Sequence, residues 1–279
     1  IVTGDWSSDV CSSDLSALME IGLPYLMQLN NKYLKSDSLS IQIFKSGLFF
    51  CTKKETYFFD FKILNFDSIS VKNFIEKNKI EFDFVEVILF DENSIIIPDD
   101  FFDERKIENI VSTSMPLKSD YLVYDKIFDT RQVVLYYLKK ENKKIINDFF
   151  PKAEIKHFTT QLFEVLTKFS KNDYKKNMFI NLRANFFDIF IYHSNQLLFF
   201  NTFNHKTIED FLYYVFYVIE IQGINQIESN VFFLGKNDKF NTYYNSFSKF
   251  YNSAKFLNSQ APNISQSNHE CPLFLDIFE

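Results

Sequence analysis

The side chains able to move a proton or hold a metal in this 279-residue sequence are few and dispersed. His157, His193, His205 and His269 stand far apart. His193 falls in a hairpin turn and His205 just before a helix, where solvation or capping accounts for both. His269-Glu270-Cys271 is too compact to hold one metal without distant ligands. Asp99, Asp100, Asp103 and Glu104 offer carboxylates for acid–base work, but beside Pro98 such a run reads as a solvated turn. Beyond Cys11, only Cys51 and Cys271 remain; they lack metal spacing and a disulfide framework, the usage of a reducing cytosol. No Gly-x-Ser-x-Gly elbow or Walker loop occurs. These residues predict no catalytic group and no metal site.

The elements that would position a site are clearer. Alternating apolar residues predict strands over 39–44, 48–52 and 56–61, a helix over 70–79 capped by Ser70, and a buried strand over 84–90. The same order returns later. Strands are predicted over 178–182, 186–192 and 196–202, then a helix over 207–222 and a strand over 230–234 closed by Gly235. Thr207 is the expected N-cap with Asp210 three residues on, and Gly223 the stop. That helix is apolar on nearly all sides, so it is expected to be sandwiched; the other reading has one face meeting a second chain. Two β-β-β-α-β copies are an internal duplication and predict an α/β, actin-like (ribonuclease H-like) fold.

Between the copies lie an apolar stretch over 95–98, a strand over 132–137, a helix over 142–150, a strand over 154–157 and a helix over 160–169. The polar segment 171–176 reads as a linker. It separates an N-terminal half with an inserted segment (16–174) from a C-terminal half (175–279). After the second copy a helix is expected over 238–251, a mobile loop over 258–268, and a short apolar segment over 272–278 that docks on the body.

Composition excludes some function classes. Of the formal net charge of −6, three units belong to Asp5, Asp9 and Asp14 among the first fifteen residues, leaving −3 for the rest. That balance argues against nucleic acid as a partner. The 36 Phe residues fall at strand and helix spacings, which is a core pattern and not a stacking platform. No apolar run reaches the ~18 residues of a membrane span, and a cytoplasmic location is expected. Residues 5–15 resemble the translation of a sequencing-adapter oligonucleotide, and residues 1–15 are expected to be disordered, packing against nothing.

From about residue 31 onward the chain resembles an uncharacterised family, domain of unknown function 3822, seen mainly in Bacteroidetes. The resemblance rests on Leu39-Ser-Ile-Gln-Ile, on Ile97-Pro98 ahead of Phe101-Phe102, and on Asn201-Thr-Phe-Asn-His-Lys-Thr-Ile-Glu-Asp-Phe-Leu-Tyr-Tyr214. It implies membership of the actin-like ATPase superfamily, with similarity to the actin-like pilus-assembly protein. Members of that superfamily hold a triphosphate between two hairpin turns, each usually carrying an Asp for magnesium and glycines that admit phosphate.

By that resemblance the first turn is Lys45-Ser46-Gly47, which has a glycine and a cation but no carboxylate. The second contains Arg183 and Asn185 and has neither Asp nor Gly; Asp188 lies beyond it, on a face the sequence leaves open. The adenosine turn keeps one glycine, Gly235, whose simpler role is to let the chain leave a strand. Arg183 is expected to be a solvated turn residue, with anion binding in place of metal as its sharper role. These six residues form a degenerate nucleotide cleft. The leading expectation is a catalytically silent scaffold or adaptor that binds a protein or peptide and needs no cofactor. The alternative is an ATP-binding switch or a sugar-kinase-like phosphotransferase with an atypical site, and a homodimer is a third reading.

Overall fold

The computed structural model describes residues 38–44, 47–51, 56–60, 84–90, 93–171, 173–235 and 238–257. The expected features at 1–15, 70–79, 258–268 and 272–278, the His269 cluster, Lys45 and Ser46 lie outside the described residues.

Two five-stranded sheets carry the duplication. In the first, β1 (Ser38–Ile43), β2 (Gly47–Cys51) and β3 (Thr56–Asp60) form an antiparallel meander. β4 (Phe84–Leu89) then pairs parallel with β1. A three-stranded sheet follows: β5 (Ser94–Pro98), β6 (Tyr121–Ile127) and β7 (Gln132–Leu138), in the order β5-β7-β6 and all antiparallel. The chain then returns to the first sheet with β8 (Glu154–His157), parallel to β4. The order is β3-β2-β1-β4-β8.

The second sheet repeats this pattern strand for strand. β9 (Lys176–Leu182), β10 (Phe186–His193) and β11 (Gln196–Asn204) form the meander. β12 (Ser229–Leu234) pairs parallel with β9, and β13 (Lys255–Leu257) parallel with β12. The order is β11-β10-β9-β12-β13. The segment at 154–157, expected between the halves, is therefore the fifth strand of the first sheet, in the position that β13 holds in the second. β6 and β13 were not foreseen.

Helices fill the faces. α1 (Ile107–Ser112) covers the small sheet, with Val111 packed among Val133, Leu135 and Tyr137. α2 (Lys140–Phe149) starts two residues before its predicted onset. α3 (Phe158–Ser170) is the central element: Phe158, Leu162, Phe163 and Leu166 share one core with Ile41 and Ile88 of the first sheet, Tyr136 of the small sheet, and Phe179, Phe190 and Phe232 of the second. Phe169 meets Phe179 and Phe232 edge-on at 5.6 and 5.4 Å. Such pairs add roughly 0.5–1.5 kcal/mol each beyond burial. The helix that follows β8 is thus the wall against which both lobes close.

α4 (Ile208–Ile221) covers the other face of the second sheet with α5 (Asn241–Ser248), burying Phe211, Val215 and Val218. Its ends follow the sequence signals. Thr207 Oγ1 accepts from Asp210 N (3.1 Å), and Asp210 Oδ2 accepts from Thr207 N (3.2 Å). At the other end Gly223 takes φ +61°; its N–H donates to Glu220 O and that of Ile224 to Ile219 O, which closes a Schellman motif. The helix is not sandwiched, however. Tyr213 and Tyr217, 65% and 51% exposed, stack on its outward face. The helix expected over 238–251 is a 3-10 turn, Asp238–Phe240, followed by the shorter α5.

Candidate functional site

The two hairpin turns are built alike. Phe44 N donates to Gly47 O (2.9 Å) between β1 and β2, and Arg183 N donates to Phe186 O (2.8 Å) between β9 and β10. Phe44 and Arg183 thus occupy the same position in the two lobes. A duplicated fold has placed an aromatic ring at one and a guanidinium at the other.

Between these turns runs a column of buried groups. The Phe44 ring stacks on Phe90, just past β4, at 4.3 Å between centroids. Phe90 stacks on Phe158, the first residue of α3, at 5.3 Å and 9°. The guanidinium carbon of Arg183 lies 4.5 Å above the Phe158 ring and 5.4 Å from the Phe186 centroid. Every member from Phe44 to Arg183 is buried. The first lobe, the central helix and the second lobe are therefore joined by side chains along this column.

Arg183 is 5% exposed, which corrects the expectation of a solvated turn residue. Its burial has a partner. Nε and Nη2 donate to the two carboxylate oxygens of Asp188 at 2.9 and 2.8 Å, a bidentate pair, and Nη1 donates to the carbonyl of Phe90 at 3.0 Å. Asp188 has no exposed surface. It also accepts from Asn181 Nδ2 (2.9 Å) and Thr202 Oγ1 (2.7 Å), its cross-strand neighbours on β9 and β11. Four donors occupy a carboxylate that has about four lone-pair sites. A cation could be held by Asp188 only after Arg183 had left it.

The turn is held from outside by His205. Its backbone N–H donates to Asn185 O (3.1 Å), and its ring Nε2 lies 3.2 Å from Arg183 O. A carbonyl can only accept, so Nε2 carries the proton, and Nδ1 accepts from the Tyr243 hydroxyl at 3.1 Å. Burial lowers the His205 pKa, partly opposed by its bonds to the turn, which favours the neutral ring that this arrangement needs.

The other expected residues stand as follows. Asn185 is exposed at the tip of the second turn. Gly47 begins β2, and its carbonyl closes the first turn. Gly235 takes φ +74°, donates to Leu257 O (2.7 Å) and accepts from the Tyr244 hydroxyl (3.2 Å), so both its backbone groups serve the second lobe. The structure therefore brings Arg183 and Asn185 together and leaves Gly235 in a strand exit. Asp188, Asn181, Thr202, Phe90 and His205 were not among the expected site residues. Among the described residues no three His, Cys, Asp or Glu side chains are grouped to hold a metal.

The acidic run is engaged locally. Asp99 pairs with Lys126 (3.8 Å), Asp100 with Arg131, and Asp103 with Arg105 (3.1 Å), all near solvent. No described helix is long and apolar enough to cross a membrane.

The family model for a protein of unknown function, DUF3822, matches residues 27–253. The chain belongs to this family. No curated protein matches it. Among solved structures, this DUF3822 member is similar to a Bacteroides thetaiotaomicron VPI-5482 protein of actin-like ATPase fold and unknown function. The TM-score is 0.67 at 20% identity, over 81% of this chain and 95% of that one. It is also similar to a chain of the PilM–PilN type IV pilus biogenesis complex, with a TM-score of 0.54 at 8% identity, over 86% and 96% of the two chains. The DUF3822 chain thus has the actin-like ATPase fold.

Proposed function

We propose that this chain uses the actin-like fold to hold a protein or peptide partner and does not turn over nucleotide. One observation carries the reading: Asp188, a carboxylate just past the second turn, is consumed by Arg183, Asn181 and Thr202. Phosphoryl transfer in this fold depends on metal ions that neutralise charge developing on phosphate. Here the charge that would anchor a metal is already cancelled within the chain, and aromatic rings fill the space beside it. A fold without that chemistry keeps its large two-lobed surface. The PilM–PilN complex, whose matching chain shares the fold, is by its name a two-protein assembly, and this supports a partner as ligand.

Isolation of the tagged chain from its native host, followed by mass spectrometry, tests the proposal. A second polypeptide is expected in fixed stoichiometry, retained in a repeat with nucleotide removed. Recovery of this chain alone, or hydrolysis of ATP by the purified chain, overturns it.

A further inference from the structure

At the opposite end of the second sheet from the Arg183 turn lies a cavity of about 440 Å³, within the range of small-molecule sites. It opens where β9 begins, β10 ends and α4 stops. Lys175, Lys176 and His193 line it with Glu228. Two further lining residues, Tyr174 and Ile227, are 91% and 82% exposed, among the most solvent-open large apolar side chains described.

The polar groups hold this mouth in shape. Lys175 Nζ donates to Ile227 O (3.0 Å), and His193 Nε2 donates to Tyr174 O (3.1 Å), so the residues bearing both apolar side chains are fastened by their carbonyls. Lys176 Nζ donates to Gln222 O at the end of α4 (2.8 Å) and would lie 3.9 Å from a Cβ placed on Gly223. Each ammonium has three donors, and one carbonyl occupies one of them. Glu228 is bonded to Asn225 Nδ2 (3.2 Å). Nearby Asp173 is engaged by Lys175 N and Asn230 Nδ2. Among the lining residues two lysines stand against one glutamate.

The geometry points to a binding site for a small amphipathic monoanion: a carboxylate seated on Lys175 and Lys176, with an apolar body against Tyr174 and Ile227. A phosphate dianion would leave charge uncompensated beside Glu228, and a cation would face both lysines. The site is separate from the turns and does not depend on the partner-binding reading.

Titration of the full chain with hexanoate, followed by amide chemical shifts, tests this. Inorganic phosphate and hexylammonium serve as the contrasting probes. Lys176 also caps α4, so Lys175 and Tyr174, both outside the strands, carry the test. Hexanoate is expected to give saturable shifts at Gly223, Ile224 and Ser229. Lys175→Gln is expected to weaken it by about tenfold and Tyr174→Ser by several-fold, with Tm unchanged. Absence of saturation, an equal response to hexylammonium, phosphate binding as tight as hexanoate, or undiminished hexanoate binding by Lys175→Gln each overturns the assignment.

Discussion

Arg183 Nη1 lies 3.0 Å from the carbonyl oxygen of Phe90, 93 residues earlier in the chain. The two residues belong to different lobes, and the same guanidinium neutralises Asp188. One side chain therefore does two things: it saturates the carboxylate beside the second turn and ties that turn to the end of β4. The consequences can be measured separately.

Breaking the pair from one side should be costly. Asp188→Ala leaves a buried guanidinium without its counter-charge, and Arg183→Ala leaves a buried carboxylate. Removal of one partner of a buried pair costs about 3–5 kcal/mol. Denaturant unfolding of the single variants and of the double variant Arg183→Ala/Asp188→Ala checks this. The double variant is expected to lose less than the two single losses combined. Additive losses would show that the contact carries no coupling.

His205 gives a pH dependence of definite sign. Burial holds its folded-state pKa below the usual histidine range. Over the window between that lowered value and the ordinary one, the unfolded chain takes up the proton more readily. The contribution of His205 is therefore complete above the ordinary value and is lost as pH falls through the folded one. Unfolding measured from neutral pH downward should show it, and His205→Gln should remove that part of the slope.

Asp125 behaves oppositely. Its carboxylate accepts from Tyr136 Oη (2.7 Å), His157 N (2.9 Å) and Thr160 Oγ1 (2.6 Å), which joins the small sheet to the start of α3. Burial raises its pKa in spite of these bonds. The folded state then holds the proton more tightly. The stability this adds is present below the ordinary carboxylate value and lost as pH rises through the raised one. Asp125→Asn should flatten this acid-side slope in unfolding curves. Asp125→Ala should cost about 1–3 kcal/mol, because it leaves three buried donors without an acceptor.

The duplication was legible because strand alternation survives in both copies, and the ends of α4 because Thr207, Asp210 and Gly223 signal locally. β6 was hidden: Tyr121–Ile127 is mostly half-buried and carries Asp125 and Lys126, so its alternation is blurred. The Asp188 site was half legible. A two-residue turn at Ala184-Asn185 sets Asn181 opposite Asp188 by register alone. Thr202 was not, because a register shift near Ile191/Tyr192 skips Leu198 and moves Thr202 opposite Asp188. The Phe90 contact depends on how two lobes meet, which no local pattern records. The expectation of a solvated Arg183 failed for that reason.

Gly235 is a narrower test of the second lobe. Its φ of +74° lies where a Cβ is strained. Gly235→Ala should lower stability by about 1–2 kcal/mol in denaturant melts.

The central claim is that the chain's own Arg183–Asp188 pair and aromatic column occupy the nucleotide crevice. Thermal unfolding with millimolar ATP–Mg tests it most directly. A ligand at 100 times its dissociation constant stabilises by about 2.7 kcal/mol, which for a chain of this size raises Tm by about 2–4 °C or more. The account predicts no shift with ATP–Mg. A nucleotide-dependent rise of that size in the wild-type chain, abolished by Asp188→Asn, would contradict it.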